Sequence, residues 1–413
     1  MLFIAKRLFR GEHKGQVSSS AIRIATAGVA VGILVMIVSI CVSSGFQREI
    51  KAKVAALVGH VQIVNEQTLY RSRTMPIQIT DSIRDKIATF PYVESVQCFA
   101  LCPGMLKTEN VFRGVMFRGV DDAFDTSFLS SCLIEGRIPA FGEMGDEVVM
   151  DSILVSAPLA SALELRAGQR IYAYFFDDNL RVRRLTVAGI FQTHLSDIDT
   201  RMCYADARLT QKLAGFRADQ YSGAEIRVDE YSHVDSLSVC LASMFGTHED
   251  AYRQCYATPR VDELYPHFFS WLTLLDTNVG AILILMICVA IVTMVSGLLV
   301  IILERTQFIG IMKSMGATNS LLRRIFLYFA SMIVLRGMLW GNALAFMLLT
   351  LQYATGIVSL DPESYYIAQV PVYFPWLSII VVNVLTFVLC VLVLIVPTYV
   401  ISRIHPARSI VFE

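Results

Sequence analysis

Glu304-Arg305-Thr306-Gln307-Phe308-Ile309-Gly310-Ile311-Met312-Lys313-Ser314-Met315-Gly316-Ala317-Thr318 forms a polar island between two apolar runs. Ahead of it lie 27 residues without a charge, Thr277 to Leu303, and beyond Arg323 and Arg324 a second, largely apolar run begins. Crossing a bilayer takes about 20 apolar residues, so each run is long enough to span and the island is a tight loop at a membrane face. Phe308, Ile309, Met312 and Met315 recur at helical spacing beside Arg305 and Lys313, which predicts a short helix lying across the membrane surface. Gly310 and Gly316 punctuate it, and Asn319 or Ser320 is placed to cap the next helix. Pattern alone leaves two readings open: an interfacial helix that tucks its stripe into the headgroups, or a docking element for a partner.

Composition agrees with a membrane chain. Of 413 residues 55% are hydrophobic and only 17% charged, against about 25% in average globular chains, and the mean hydropathy is +0.56. With 35 basic and 35 acidic residues there is no global basic footprint for nucleic acid. Four spans are expected: Ile24 to Gly45, Thr277 to Leu303, Ile325 to Tyr353 and Trp376 to Val400. Lys6, Arg7, Arg10, Lys14 and Arg23 precede the first, the island carries Arg305 and Lys313, and Arg403 and Arg408 follow the last. The loop between spans three and four has Asp361 and Glu363 and no Lys or Arg, so the positive-inside rule puts both termini and the island in the cytoplasm. The region between spans one and two then lies outside. The 24 charge-free residues from Ile24 to Gln47 exceed the 7–15-residue core of a signal peptide, so the first span is expected to stay as an anchor. Residues 1–20 read as a cytoplasmic amphipathic segment, with Phe3, Ile4, Leu8 and Phe9 against Lys6, Arg7 and Arg10.

Helical patterning does not stop at the membrane. Phe46, Ile50, Val54 and Leu57 extend the first stripe, so residues 21–58 read as one helix of about 57 Å, and residues 266–303 as a second. Neither junction holds a proline or glycine pair to kink it. Between them, 59–265 read as an α+β domain. Strands are expected at His60–Val64, Ser95–Leu101, Val111–Val120, Glu147–Met150, Arg170–Phe176, Arg181–Ile190, Met202–Ala205 and Gly223–Val228. Helices are expected at Ser82–Phe90, Ser156–Leu163, Ala207–Leu213 and His233–Phe245. Strand–helix–strand order at each end suggests two subdomains, the middle one, about 130–221, an insertion. The fold class is thus an α-helical membrane protein with four transmembrane helices and a large α+β extracytoplasmic domain of two subdomains between helices 1 and 2. The remaining boundaries are a surface helix at 304–320, an outer loop at 354–375 and a cytoplasmic end at 401–413.

No Gly-x-x-x-x-Gly-Lys-[Ser/Thr] loop, His-Glu-x-x-His, Gly-x-Ser-x-Gly or Cys-x-x-Cys is present, so catalysis by this chain is not expected and ATP work falls to a partner. Six cysteines lie outside the spans, where the compartment permits bridges, and one between Cys240 and Cys255 would join a helix to the next strand; no spacing fixes connectivity, and free thiols are the default. His233 and His248 have no second metal ligand in view. Arg336 sits inside span three, where a charge is costly, beside Gly337 and Gly341, a pair that permits close helix packing.

The island resembles the coupling helix of MacB/FtsX-like ABC membrane subunits, a Glu-Arg/Lys-x-x-x-Ile-Gly-Ile-x-Lys-x-x-Gly-Ala pattern. Gly119-Val120-Asp121, Gly136-Arg137 and Leu165 to Gln169 resemble turns of the lipoprotein-releasing (LolC/LolE) permeases within that class. Asp361 to Val372 resembles their Tyr-Tyr-x-x-x-Leu-Pro-Val loop, and Arg403 to Ala407 the ending of the wider class. The resemblance covers the whole chain. It implies that Glu304, Arg305, Phe308, Ile309, Met312, Lys313 and Gly316 couple to an ABC ATPase dimer, with ATP and Mg bound there and no cofactor in this chain. It further implies an inner-membrane permease, paired with a second copy or a homologous subunit, that takes lipoproteins from the outer leaflet among membrane lipids and passes them to a periplasmic chaperone. The wall of the entry cleft between spans one and two is expected at Met36, Ile40, Phe46, Phe268, Trp271, Leu275 and Val279. A macrolide- or toxin-exporter-type permease and a non-transporting FtsX-like regulator of an envelope hydrolase are the alternatives. One departure stands out: Tyr174-Phe175-Phe176 meets Leu180-Arg181-Val182 through only Asp177-Asp178-Asn179, too short for the extended chaperone-docking hook of LolC-type subunits.

Overall fold

The structure, a computed structural model, describes residues 16–71, 73–109, 111–142, 150–176, 180–246 and 248–399. Expected features at 1–15, 143–149, 177–179 and 400–413 lie outside the described residues, among them the amphipathic start, the carboxyl ending, most of the Glu147–Met150 strand and the three-residue turn. The chain divides into two units. One is helical and comprises 1–48, 270–359 and 369–413; the other, α/β, comprises 49–269 and 360–368.

The helical unit is built on α1 (Gln16–Val58), an unbroken 43-residue helix. Among the described residues four helices are long and apolar enough to cross a membrane: α1, α6 (Pro266–Glu304), α8 (Asn319–Thr355) and α9 (Trp376–Val393), the last continued by a turn at Ile395–Thr398. Lipid tails are as apolar as Leu, so helices in a bilayer gain from backbone approach at small residues. A Cβ at Gly341 would meet the Ala30 carbonyl oxygen at 2.6 Å, and one at Gly337 would meet Val29 Cβ at 2.8 Å, which fastens α8 to α1. On another side of α1, Gly28 faces Thr293, and Ala25 faces Gly297 of α6. Asn342 and Asn383 exchange side-chain hydrogen bonds at 2.8 and 3.2 Å, a polar clasp between α8 and α9. Arg336 falls on the exposed side of α8, away from the buried Gly337 and Gly341.

The α/β unit has strands β1 (Val61–Asn65), β2 (Ile77–Gln78), β3 (Val93–Lys107), β4 (Phe112–Val120), β5 (Leu133–Gly136), β6 (Ser152–Ser156), β7 (Arg170–Phe176), β8 (Leu180–Phe191), β9 (Met202–Asp206), β10 (Gln220–Tyr221), β11 (Gly223–Val228) and β12 (Tyr256–Ala257). Its principal helices are α2 (Asp81–Ala88), α3 (Ala157–Ala162), α4 (Ala207–Ala214) and α5 (Val234–Phe245). Six strands close into a small barrel in the order β3-β4-β9-β6-β8-β7 and back to β3. Alternation fills it: Ile171, Ala173 and Phe175 point in while Arg170 and Tyr172 point out, the period of two that a strand dictates. The first half of β3 instead pairs with β11, and β1, β11 and the start of β3 carry α2 and α5 on a second core around Ile63, Val96, Ile226 and Leu241.

Two cores agree with the two-subdomain expectation, but the barrel takes β3 and β4 from residues 93–120, so the segment 130–221 does not close a core of its own. β6 was missed because Ile153-Leu154-Val155 is buried on both faces and shows no alternation. No disulfide joins any of the nine cysteines. His233 is hydrogen-bonded to Asp229 at 2.9 Å and stacked on Tyr92.

Candidate substrate groove and coupling helix

A groove of about 360 Å³ opens where α1, α6 and α9 meet in the helical unit. Helix direction decides its character. α1 contributes Ile40, then Ser43 and Ser44; α6 contributes Asp276, then Val279 and Leu283; α9 contributes Leu377 and Ser378, then Val381 and Val382. The chain runs one way in α1 and the other way in α6 and α9, so Ser43, Ser44, Asp276 and Ser378 gather at the end that carries the 354–375 loop. Ile40, Val279, Leu283 and Val382 gather at the other. From Asp276 to Leu283 the helical rise is about 10 Å. The result is a one-ended amphiphilic trough: hydroxyls and a carboxylate at its mouth, aliphatic chains below. Asp276 Oδ1 accepts from Ser43 Oγ at 3.3 Å and from Gln47 Nε2.

Of the residues expected to wall a cleft, only Ile40 and Val279 line this groove. Met36 is wholly buried in the bundle core. Phe46 is buried edge-on to the half-buried Trp271 at 5.9 Å, and Leu275 is half-buried. Phe268 belongs to the α/β unit, where its ring stands edge-on to Tyr366 at 5.3 Å. The sequence reading missed Asp276, Ser43 and the whole α9 wall. Leu377 and Val381 one turn apart, with Ser378 between them, were the available signal.

The island forms α7 (Thr306–Ser314). Its C-terminus is a full Schellman motif: Gly316 N–H donates to Lys313 O at 3.0 Å, Ala317 N–H donates to Met312 O at 2.9 Å, and Gly316 adopts φ +92°. Nothing lies within 4 Å of a Cβ placed there, so the need for glycine is conformational. The next cap is Thr318, whose hydroxyl accepts from Leu321 N–H at 3.3 Å, not Asn319 or Ser320. The expected docking stripe divides. Ile309 is 0% exposed in the bundle core and Met312 packs partly against it, while Ile311 (51%) and Met315 (78%) face out with Glu304 and Gln307. Phe308, Arg305 and Lys313 are half-buried, and burial pushes the Lys313 ammonium down. Ile309 anchors the helix to its own bundle and is unavailable to a partner.

Residues 24–238 match the MacB-like periplasmic core domain, and residues 280–406 match the FtsX-like permease C-terminal region. The chain belongs to the MacB/FtsX-like permease family. Within it the likeness is to the LolC/LolE permeases over almost the full length. The chain is 21% identical to the lipoprotein-releasing system transmembrane protein LolE of Haemophilus influenzae, covering 98% of each chain. It is 22% identical to LolC of Xylella fastidiosa, over 99% of this chain and 98% of that one, and 21% identical to LolC of Neisseria meningitidis serogroup B, over 100% and 99%.

In this MacB/FtsX-like chain the loop that resembles the LolC/LolE motif has a defined seat. Tyr373 N–H donates to Cys41 O at 3.2 Å, and the Arg48 guanidinium lies 4.6 Å from the Tyr373 ring centroid. The preceding Tyr366 adopts φ +62°, and its carbonyl accepts from Lys53 Nζ at 3.1 Å within the α/β unit.

Proposed function

We propose that this chain is the permease subunit of an ATP-driven complex of the inner membrane that releases lipoproteins. Two such subunits, identical or homologous, pair with an ABC ATPase dimer that binds ATP and Mg, and both termini and α7 face the cytoplasm. The acyl chains of the substrate enter the trough of α1, α6 and α9, and its polar linkage stays at the Ser43–Asp276 mouth. The single observation that carries this reading is the one-ended polarity of that trough, since an acylated protein is an amphiphile of the same form. The ATPase seats on the outward face of α7 around Gln307, Ile311 and Met315, with Lys313 and Glu304 at its rim. Released lipoprotein passes to a periplasmic chaperone, which contacts a surface other than the short 177–179 connection.

Reconstitution with the ATPase in vesicles holding a lipoprotein tests this. ATP-dependent release is expected, and Val279→Trp, which fills the trough, is expected to abolish release while the ATPase stays bound. Release unchanged by a filled trough overturns the assignment.

A further inference from the structure

A second groove, of about 430 Å³, opens between α8 and α9 and is lined by none of the trough's residues. Arg324, Leu327, Tyr328 and Ser331 line it from α8, a single i, i+3, i+4, i+7 stripe, and Phe387 and Val391 line it from α9. The two helices run antiparallel, with Asn342 beside Asn383 at one level and Arg323 beside Tyr399 at another. Arg324 therefore stands at the end near α7, and Leu327, Val391 and Phe387 lie progressively deeper. From Arg324 to Ser331 the helical rise is about 10 Å. Ser331 Oγ donates to Tyr328 O at 2.9 Å, so its hydroxyl is taken up by its own helix and the deeper wall is aliphatic and aromatic.

The mouth has the opposite character. The Arg323 guanidinium lies 3.9 Å from the Tyr399 ring centroid, and Tyr399 and Tyr328 are both exposed. Cations among exposed tyrosines mark the headgroup level of a bilayer. Helical side chains lean toward the N-terminus of their helix, so Arg324 and Tyr328 both reach toward that level. Arg324 is exposed, and no acidic residue lines the groove or stands in the first turn of α8. A guanidinium matches a phosphate in charge and in fork geometry, whereas the ammonium of a zwitterionic head group would find no carboxylate in this lining. We infer that the α8–α9 groove binds an anionic phospholipid of the leaflet on the α7 side, with its phosphodiester on Arg324 and an acyl chain along Leu327, Val391 and Phe387. Basic pockets between membrane helices take such head groups. The site is independent of what the trough of α1, α6 and α9 carries.

Native mass spectrometry of the full-length protein tests this, with titration by phosphatidylglycerol, phosphatidylethanolamine and phosphatidylcholine of one chain composition and by inorganic phosphate. The first phosphatidylglycerol is expected to bind at least about fivefold tighter than either zwitterionic lipid. Arg324→Gln changes an exposed side chain and is expected to erase that preference, and Arg324→Lys to keep most of it. Leu327→Trp, which fills the groove, is expected to weaken the first binding event for all three lipids. Arg336→Gln removes another exposed cation of α8, outside the groove, and is expected to leave the preference intact. Equal affinity for the three lipids in the wild type, or a preference that survives Arg324→Gln, overturns the inference. An equal loss in Arg336→Gln reduces the effect to general charge and also overturns it. Displacement of phosphatidylglycerol by inorganic phosphate at equal concentration overturns the acyl-chain contact. Disulfide-linked dimers of Tyr328→Cys in membranes, absent from the wild type, put a second copy of the chain on this face and overturn the lipid as its occupant.

Discussion

A Cβ on Gly45 would lie 2.5 Å from the carbonyl oxygen of Pro371 and 3.1 Å from the Val372 nitrogen. The backbone of the outer loop thus rests directly on α1, at a position where α1 has no side chain to hold it off. Gly45→Val is therefore expected to displace residues 369–373, at a cost of about 1–3 kcal/mol in local stability. Hydrogen exchange of the Tyr373 amide, which donates to Cys41 O, reports this. Gly280→Ala is the control, because nothing lies within 4 Å of its Cβ. Equal protection in the two variants would contradict the contact.

The two faces of α7 give opposite results on substitution. Ile311→Asp with Met315→Asp changes exposed positions and is expected to leave folding intact while ATPase copurification drops at least about tenfold, since two charges enter an apolar contact. Ile309→Asp puts a carboxylate into the bundle core and is expected to reduce the amount of folded protein instead. Full ATPase recovery by the first variant would remove α7 as the dock.

His60 should make the α/β unit acid-sensitive. Burial, then the nearby Arg227, pushes its imidazole down to about 4, and its Nδ1 accepts from Val228 N–H at 3.1 Å. The unfolded chain, with an ordinary value of about 6.5, takes up the proton first. This contribution is therefore full above pH about 6.5 and is lost as pH falls toward 4; for a partly exposed ring it amounts to about 1–2 kcal/mol. His60→Gln is expected to flatten the pH dependence of exchange protection in β11 between pH 7 and pH 5. Parallel curves for the two proteins would rule the group out.

Legibility from sequence followed the strength of the periodic signal. Long charge-free runs, the alternation in β7 and the glycines at 337 and 341 carry their meaning locally, because span length, strand period and backbone approach are properties of neighbouring residues. The barrel closure is not local: β3 changes partners halfway along, from β11 to β7, and no residue within it announces the switch. The same holds for the trough. Ile40 and Val279 read as apolar wall, but that α9 supplies the third side, and that the exposed Asp276 accepts a hydrogen bond from Ser43, depends on three helices meeting. Ile309 looked like a docking residue because a stripe on a short helix does not say which neighbour it faces.

The central claim, an acyl trough between α1, α6 and α9, is tested most directly by photo-crosslinking in cells. A photoreactive residue placed at Val279 or Leu377, both in the trough, is compared with one at Leu348, an exposed position on α8. The account predicts lipoprotein adducts at the two trough positions, lost when Ile40→Trp fills the groove, and none at Leu348. Adducts at Leu348 with none at Val279 or Leu377 would contradict it.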